Sequence, residues 1–143
     1  MDVNITPYLM LDGNAKEAIS FYSAVFDTEI KSVELLKDWP QEFEGEMPED
    51  FKDKVVHAHL AIGASGLMLA DIFPGQPYIP GSMITLMLDL KEVSEAEKLF
   101  ERLSSGGDVI IPLAETSFSP AYAQVKDKFG IEWQIVTDPP EMN

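Results

Sequence analysis

The order of apolar runs and helix starts in this chain occurs twice, and this internal repeat limits the folds that the chain can adopt. An apolar run over residues 5–11 is followed by a helix start near Asn14, and a second run over residues 83–90 is followed by one near Ser94. In each case a glutamate stands three residues after the Asn or Ser, which is the spacing of a capping box. Each half therefore begins with a predicted strand and helix.

Three further strands are predicted after the helix of each half, because short β-branched and apolar runs alternate there with turn residues. The first helix continues to about Phe26, and the second ends before Gly106. The strands are predicted at residues 29–36, 55–62 and 67–73 in the first half, and at 109–113, 122–127 and 131–137 in the second. Each half thus has the order β-α-β-β-β.

Two segments between these elements lack a regular apolar period. Residues 37–53 contain two prolines and seven acids, which predicts a mobile loop, and residues 74–81 contain three prolines and two glycines, which predicts a linker. We predict one α+β domain over 1–143, in which module one (about 3–73) and module two (about 82–137) form a curved mixed sheet with helices outside. A trough between the inner faces of the modules would bind a small molecule.

The two halves can also be aligned on each other by their apolar residues. A shift of 78 residues lays Tyr22 on Phe100 and matches the apolar faces of the two predicted helices. The same shift lays Leu9 of the first strand on Met87 of the fifth. It therefore predicts that these two residues hold equivalent positions in their sheets.

Composition excludes several classes of function. The chain has no cysteine, so thiol nucleophiles, Cys-ligated zinc and iron–sulfur clusters are excluded. Its 25 acidic and 10 basic residues give a net charge of −15, which would repel nucleic acid and anionic membranes. No run approaches the roughly 18 apolar residues of a membrane span. We expect a cytoplasmic protein with no nucleic-acid or membrane partner.

The only two histidines, His57 and His59, lie two residues apart in the predicted strand 55–62. Residues two apart in a strand point to the same face, so both imidazoles face one side of the sheet. Three interpretations stay open: a metal site completed by Asp71 of the next strand, a polar lining for a ligand, or solvated structural histidines. The second interpretation is preferred for His57.

Further candidate residues for the ligand site come from the second half. Methionines form adaptable apolar pockets, an amide can bind a ligand through hydrogen bonds, and aromatic rings can pack against a planar ligand. For the methionines, completing the core is the preferred interpretation, and for the aromatic residues it is an equal alternative to a ligand contact. No serine lies in a nucleophile-elbow sequence, and no Gly-rich phosphate loop precedes a helix. The candidates are Met83, Thr85, Met87, Phe118, Tyr122 and Gln134.

Four segments resemble a known family. They are YLMLDGNAKEAISFYSAVF (8–26), HAHLAIG (57–63), LMLADIFP (67–74) and SFSPAYAQVKDKFGIEWQIV (117–136). The chain resembles the PhnB-like branch of the vicinal oxygen chelate superfamily, which includes glyoxalase I, bleomycin-resistance proteins and extradiol dioxygenases. The resemblance implies the glyoxalase/bleomycin-resistance/dioxygenase fold over the whole chain. Some members are called demethylubiquinone methyltransferases, but nothing here resembles a Gly-rich site for S-adenosylmethionine.

The resemblance also implies where a metal would bind. Active members hold a divalent ion with His, Glu or Gln from the first and last strands of each half, and these positions fall on Pro7, Thr85, near Ala70 and on Gln134. Proline and alanine side chains cannot ligate, and threonine is a poor ligand. No native metal and no other cofactor is therefore expected, although a divalent metal at a modified site stays open.

Three functions are consistent with these features. The preferred one is a protein that binds a small organic molecule without the usual metal. The alternatives are a divalent-metal-dependent lyase, isomerase or dioxygenase, and a structural homodimer with no ligand. The resemblance implies a homodimer in each case. Whether the chain is an enzyme is left open by the sequence.

Overall fold

The computed structural model describes residues 1–39 and 48–138. The chain divides into two compact units, Met1–Ile79 and Pro80–Asn143. The described residues form two α-helices and eight strands in two four-stranded mixed sheets, so the predicted α+β class and the β-α-β-β-β order of each half are confirmed. Part of the predicted loop 37–53 lies outside the described residues.

The first unit is a four-stranded sheet with one helix on one face. The strand order in the sheet is β1-β4-β3-β2, with β1 parallel to β4 and the other pairs antiparallel. Helix α1 packs against β3 and β4. Two 3-10 turns, Leu36–Asp38 and Glu49–Phe51, flank the part of the loop that is not described. The elements are β1 (Tyr8–Leu11), α1 (Ala15–Val25), β2 (Ile30–Leu35), β3 (Val55–Ile62) and β4 (Ser65–Asp71).

Alternation along the strands separates the two faces of this sheet. On β3, Val56, Ala58 and Leu60 are buried, whereas His57 and His59 are half-buried. The buried set lies on the helix side, so the two histidines lie on the opposite face, which we call the open face of the first sheet. The predicted shared face of the histidines is confirmed by this pattern.

The start of α1 differs from the predicted capping box. The side chain of Asn14 makes no capping hydrogen bond. Instead, the carboxylate of Asp71, at the end of β4, accepts a hydrogen bond from the Ala15 amide at 2.9 Å and another from the Val55 amide at 3.1 Å. One buried carboxylate thus connects the starts of α1 and β3 to the end of β4, and local sequence spacing cannot reveal such a long-range cap.

The second unit repeats this architecture with the strand order β5-β8-β7-β6. Strand β5 runs parallel to β8, and the other pairs are antiparallel. Helix α2 packs across all four strands. The buried residues of β7 and β8 face this helix, and the half-buried ones form the open face of the second sheet. The elements are β5 (Leu86–Leu90), α2 (Val93–Ser104), β6 (Asp108–Ala114), β7 (Tyr122–Lys126) and β8 (Glu132–Thr137).

Two sequence predictions about the second unit are wrong at their boundaries. Strand β5 begins at Leu86, so Met83 and Thr85 precede the strand instead of lying within it. Helix α2 begins at Val93, which places Ser94 in its first turn and Glu92 at the N-cap, with no side-chain capping bond. The Asn14–Glu17 spacing therefore placed the N-cap of α1 at the right residue, whereas the Ser94–Glu97 spacing placed the N-cap of α2 two residues too late, and neither N-cap residue makes a side-chain capping bond.

The sheet registers also correct the alignment of the two halves. Leu69 pairs with Ala58 and with Leu9, and in the second unit Ile135 pairs with Ala123 and with Leu88. Leu9 is therefore equivalent to Leu88 and not to Met87, because three residues separate β1 from α1 and only two separate β5 from α2. The shift of 78 holds for the helices and is one residue off in the first strands.

The motif residues Asp127 to Trp133 build the turn between β7 and β8. The Asp127 carboxylate accepts hydrogen bonds from the Phe129 and Ile131 amides and from the Trp133 indole N–H, the last at 2.8 Å. Gly130 has a φ of 91°, a conformation that favours glycine. The segment that carries much of the family resemblance therefore has a structural role in this unit.

Candidate functional site

Hydrogen bonds connect three of the predicted ligand residues on the open face of the second sheet. The Tyr122 hydroxyl donates to Oε1 of Gln134 at 2.6 Å, and Nε2 of Gln134 donates to the Thr85 hydroxyl oxygen at 2.7 Å. The three residues come from β7, β8 and the segment before β5, which the strand order makes neighbours. All three are half-buried. We call them the Gln134 cluster.

Apolar side chains lie beside this cluster. The Phe118 ring packs edge-on against Tyr122 with centroids 5.1 Å apart, and Phe118 is 56% exposed. Met87 pairs with Gln134 in the parallel β5–β8 register and is 57% exposed. Met83 lies outside the strand and is 94% exposed. The core-filling interpretation is therefore wrong for the two methionines and for Phe118.

One residue of this face was missed by the sequence predictions. Gln124 pairs directly with Gln134 across β7 and β8, so the two amides lie side by side on the open face. Gln124 is half-buried, and its side chain has no recorded hydrogen bond among the described residues. It lies two residues after Tyr122 on the same strand, and this alternation is the signal that could have identified it.

The first sheet carries a different group of polar residues. The Tyr8 hydroxyl lies 3.0 Å from Nδ1 of His57, and the two rings are tilted by 50° with centroids 5.7 Å apart. Glu34 pairs with His57 across β2 and β3. Partial burial, with a smaller contribution from the Glu34 charge, raises the pKa of the Tyr8 phenol above its ordinary value of 10.0. Tyr8 was not among the predicted site residues.

His59 occupies space that a glycine leaves open. A Cβ added at Gly66, on the neighbouring strand β4, would lie 2.8 Å from Nε2 of His59. The imidazole of His59 therefore lies over the glycine backbone, whereas His57 is directed to Tyr8. The two histidines share a face but have different neighbours.

The structure contradicts the suggested completion of the histidine pair by Asp71. Asp71 is buried on the helix side of β4, and its two oxygens accept hydrogen bonds from backbone amides. Among residues 1–39 and 48–138, no three His, Asp or Glu side chains come together as a metal site. Asp71 is a structural cap and lies on the opposite side of the sheet from the histidines.

The metal positions implied by the resemblance can be tested against the donor atoms. The sheet registers make Met68 the equivalent of Gln134, so the last-strand position of the first unit falls on Met68 and not near Ala70. Within its cluster, the Gln134 amide already accepts a hydrogen bond through Oε1 and donates one through Nε2. A thioether, a hydroxyl and an engaged amide are not the donor set of a hard divalent ion. The residues present do not fit the superfamily's metal.

Paired β-α-β-β-β units with four-stranded mixed sheets define the class of protein: this is the glyoxalase/bleomycin-resistance/dioxygenase fold. The sequence model of the family described as 3-demethylubiquinone-9 3-methyltransferase matches residues 3–136, so the chain belongs to this PhnB-like family. The match covers both units and includes every residue of the Gln134 cluster.

Three relatives agree with this assignment. The structure of protein PA1353 from Pseudomonas aeruginosa is 32% identical, with a TM-score of 0.85 over 96% of this chain and 98% of that chain. The PhnB protein from Bacillus cereus is 25% identical, with a TM-score of 0.76 over 94% and 99%. Protein YjdN from Escherichia coli K12 is 29% identical, covering 92% of each chain.

Within the described residues, no helix is both long enough and apolar enough to cross a membrane.

Proposed function

We propose that the chain binds a small planar organic molecule on the open face of the second sheet. The observation that carries this proposal is the Gln134 cluster, which holds polar groups in fixed orientations beside the exposed side chains of Phe118 and Met87. An apolar surface with a few oriented polar groups is the usual composition of a small-molecule site.

The hydrogen-bonding capacity left in the cluster indicates what the ligand must offer. The Thr85 hydroxyl accepts a hydrogen bond from Gln134, so its own O–H can still donate one to a ligand. The Tyr122 hydroxyl donates its hydrogen bond to Gln134, so its oxygen can still accept one from a ligand. The amide of Gln124 can do both. A ligand with a carbonyl next to a hydroxyl on a flat ring matches these groups, and the family description names a quinone.

Calorimetric titration with 2-hydroxy-1,4-naphthoquinone, a flat hydroxyquinone, tests this function. We expect saturable binding to the full chain. The Gln124→Leu variant should bind several-fold more weakly, because one hydrogen bond is worth about 1 kcal/mol. Gln76→Leu, far along the chain in the segment after β4, is the control and should bind as the native chain does. Absence of saturable binding to the native chain would contradict the proposal.

The same calorimetric titration also tests two other functions, a metal-dependent reaction and a methyl transfer. If saturable binding required added Mn²⁺ or Ni²⁺, the lyase, isomerase or dioxygenase alternative would replace the proposal. If S-adenosylmethionine bound in the same calorimeter, the methyltransferase description would apply. We expect neither result, because the donor set does not fit a hard ion and the sequence has no Gly-rich loop before a helix.

We also propose that the chain forms a homodimer through β6, an edge strand of the second sheet. Three consecutive residues of β6, Val109, Ile110 and Ile111, are 47%, 43% and 40% exposed, and unpaired edges of this kind pair with other chains unless they are covered. Sedimentation velocity should show a dimer for the native chain and a monomer for Ile110→Lys. A monomeric native chain at high concentration would refute this proposal.

A further inference from the structure

We propose that Tyr8 and His57 form a second ligand site, on the open face of the first sheet, in which Tyr8 holds His57 in the tautomer that carries its proton on Nε2. In this form His57 donates a hydrogen bond to a neutral carbonyl oxygen of an organic molecule. Tyr8 is the positioning residue, and His57 makes the contact. The site uses no residue of the Gln134 cluster, so either proposal can fail without the other.

The geometry of the pair supports the direction of its hydrogen bond. A neutral imidazole carries one N–H and one acceptor nitrogen, and the partner of one nitrogen decides which tautomer forms. The Tyr8 hydroxyl lies 3.0 Å from Nδ1 of His57 and 3.5 Å from its other available acceptor, the Val56 carbonyl oxygen. The shorter contact favours donation to Nδ1, which leaves the imidazole proton on Nε2.

The surroundings keep the phenol protonated and therefore able to donate. Burial and the Glu34 carboxylate both disfavour the phenolate of Tyr8, whose pKa lies above 10.0. Glu34 itself comes from β2 opposite His57, and His59 is the other titratable residue on this face of β3. With a neutral imidazole, the phenol is therefore the donor and Nδ1 the acceptor.

Nε2 of His57 is available to a ligand. It has no hydrogen-bond partner within residues 1–39 and 48–138, and every buried side-chain nitrogen or oxygen in that part of the chain has one. Nε2 therefore reaches solvent on the open face. The donor lies beside the 43% exposed Tyr8, and Met10, two residues further along β1 on the same face as Tyr8, is 45% exposed, so the site combines one directed N–H with apolar surface.

The charge next to the pair selects the class of ligand. The Glu34 carboxylate opposite His57 repels an anion, so a phosphate or carboxylate is disfavoured at this donor. A neutral carbonyl oxygen accepts the hydrogen bond without this repulsion. The chemistry thus indicates an uncharged ketone or quinone oxygen attached to an apolar ring.

The tautomer can be measured directly by long-range ¹H–¹⁵N NMR of the full chain, at a pH where the ¹⁵N shifts themselves show a neutral imidazole. We expect His57 in the Nε2–H form in the native chain and a mixture of tautomers in Tyr8→Phe. His59, whose neighbour is Gly66, is the internal control and should not change. A native His57 with its proton on Nδ1, or a tautomer unaffected by Tyr8→Phe, would refute the positioning role.

The ligand contact is tested with 1,4-naphthoquinone as the probe and naphthalene as the matched hydrocarbon without carbonyls. The His57 Nε2–H signal should shift with the quinone and not with naphthalene, and Tyr8→Phe should weaken quinone binding several-fold. His57→Gln, which keeps an N–H donor, should retain more binding than His57→Leu. Equal shifts with both probes would refute the contact.

The same titration separates this site from the Gln134 cluster. The Gln124 side-chain amide signals report the second sheet, and the His57 signals report the first. A shift confined to Gln124 would refute the Tyr8–His57 site and leave the proposed function intact. A shift confined to His57 would support the Tyr8–His57 site, while the proposed function is judged by its own titration with the hydroxyquinone.

Discussion

Single buried polar residues determine how the ends of several elements meet in this chain. Asp71 accepts two backbone hydrogen bonds from segments 56 and 16 residues away along the chain. Asp127 accepts hydrogen bonds from two backbone amides of its own turn and from the Trp133 indole N–H. In sequence both look like ordinary acids among the 25 of this chain, and Asp71 was considered only as a metal ligand. Burial and partner geometry make them structural acceptors.

Replacing Asp71 should lower the free energy of unfolding strongly. Asp71→Ala leaves the amides of Ala15 and Val55 without their acceptor, and hydrogen bonds to a charged group are worth about 1.5–3 kcal/mol each, so we expect a loss of about 3 kcal/mol or more. Urea denaturation measures it. Asp12→Ala, at an exposed position before α1, is the control and should change stability by less than about 0.5 kcal/mol. Equal effects of the two substitutions would contradict the capping role.

The Tyr8 phenol gives a prediction about pH. Because its pKa in the folded chain is raised above 10.0, its contribution to stability is fully present below pH 10 and is lost as the pH rises through the folded pKa. Glu34→Gln removes the negative charge that helps to raise the pKa of Tyr8, so this pKa should fall, while the effect of burial on it remains. Absorbance at 295 nm, taken as the difference between each protein and its Tyr8→Phe version, measures this pKa. An unchanged pKa in Glu34→Gln would show that the carboxylate does not act on the phenol.

At the scale of elements, the strands were better predicted than the caps and the register. The predicted strand at 55–62 coincides with β3, and its alternation gives the predicted shared face of the two histidines. The errors concern the starts of β1 and β5, the bounds of β4, the cap of α2 and the alignment of the first strands. Alternation reports on one strand at a time, whereas register depends on the length of the connection that precedes it.

The connection between α2 and β6 depends on a close backbone approach at Gly107. A Cβ at this position would collide with the carbonyl oxygen of Lys126 and with the backbone of Asp127. Gly107→Ala should therefore lower the unfolding free energy by about 2 kcal/mol or more, since overpacked sites cost about 1–3 kcal/mol. Thermal unfolding measures the change, with Gly81→Ala as the control because nothing lies within 4 Å of its Cβ. A native-like melting temperature for Gly107→Ala would contradict the close approach.

At the scale of the whole molecule, the two units repeat one architecture with different chemistry on their open faces. The registers make His57 equivalent to Tyr122 and His59 equivalent to Gln124. The first unit therefore places imidazoles where the second places a phenol and an amide. We infer that the repeat supplies two similar sheets, and that substitutions at these equivalent positions differentiate what each sheet can bind.

The metal content of the whole chain is a direct prediction of this side-chain chemistry. After dialysis against a divalent-metal mixture, elemental analysis should find well below one ion per chain, because His57 and His59 have no third ligand among the described residues. His57→Gln should leave this content unchanged. One tightly held ion per native chain, lost in His57→Gln, would contradict the prediction and favour a metal-dependent enzyme.

The sequence by itself determined the β-α-β-β-β order, the α+β class, the superfamily and the faces of β3, because these depend on local periodicity and on motifs that are continuous in the chain. Only the tertiary structure decided that Asp71 caps α1, that Gln134 joins Thr85 to Tyr122, and that Tyr8 reaches His57. Those contacts join residues far apart along the chain, and strand order and register, which bring them together, arise from packing across the whole sheet.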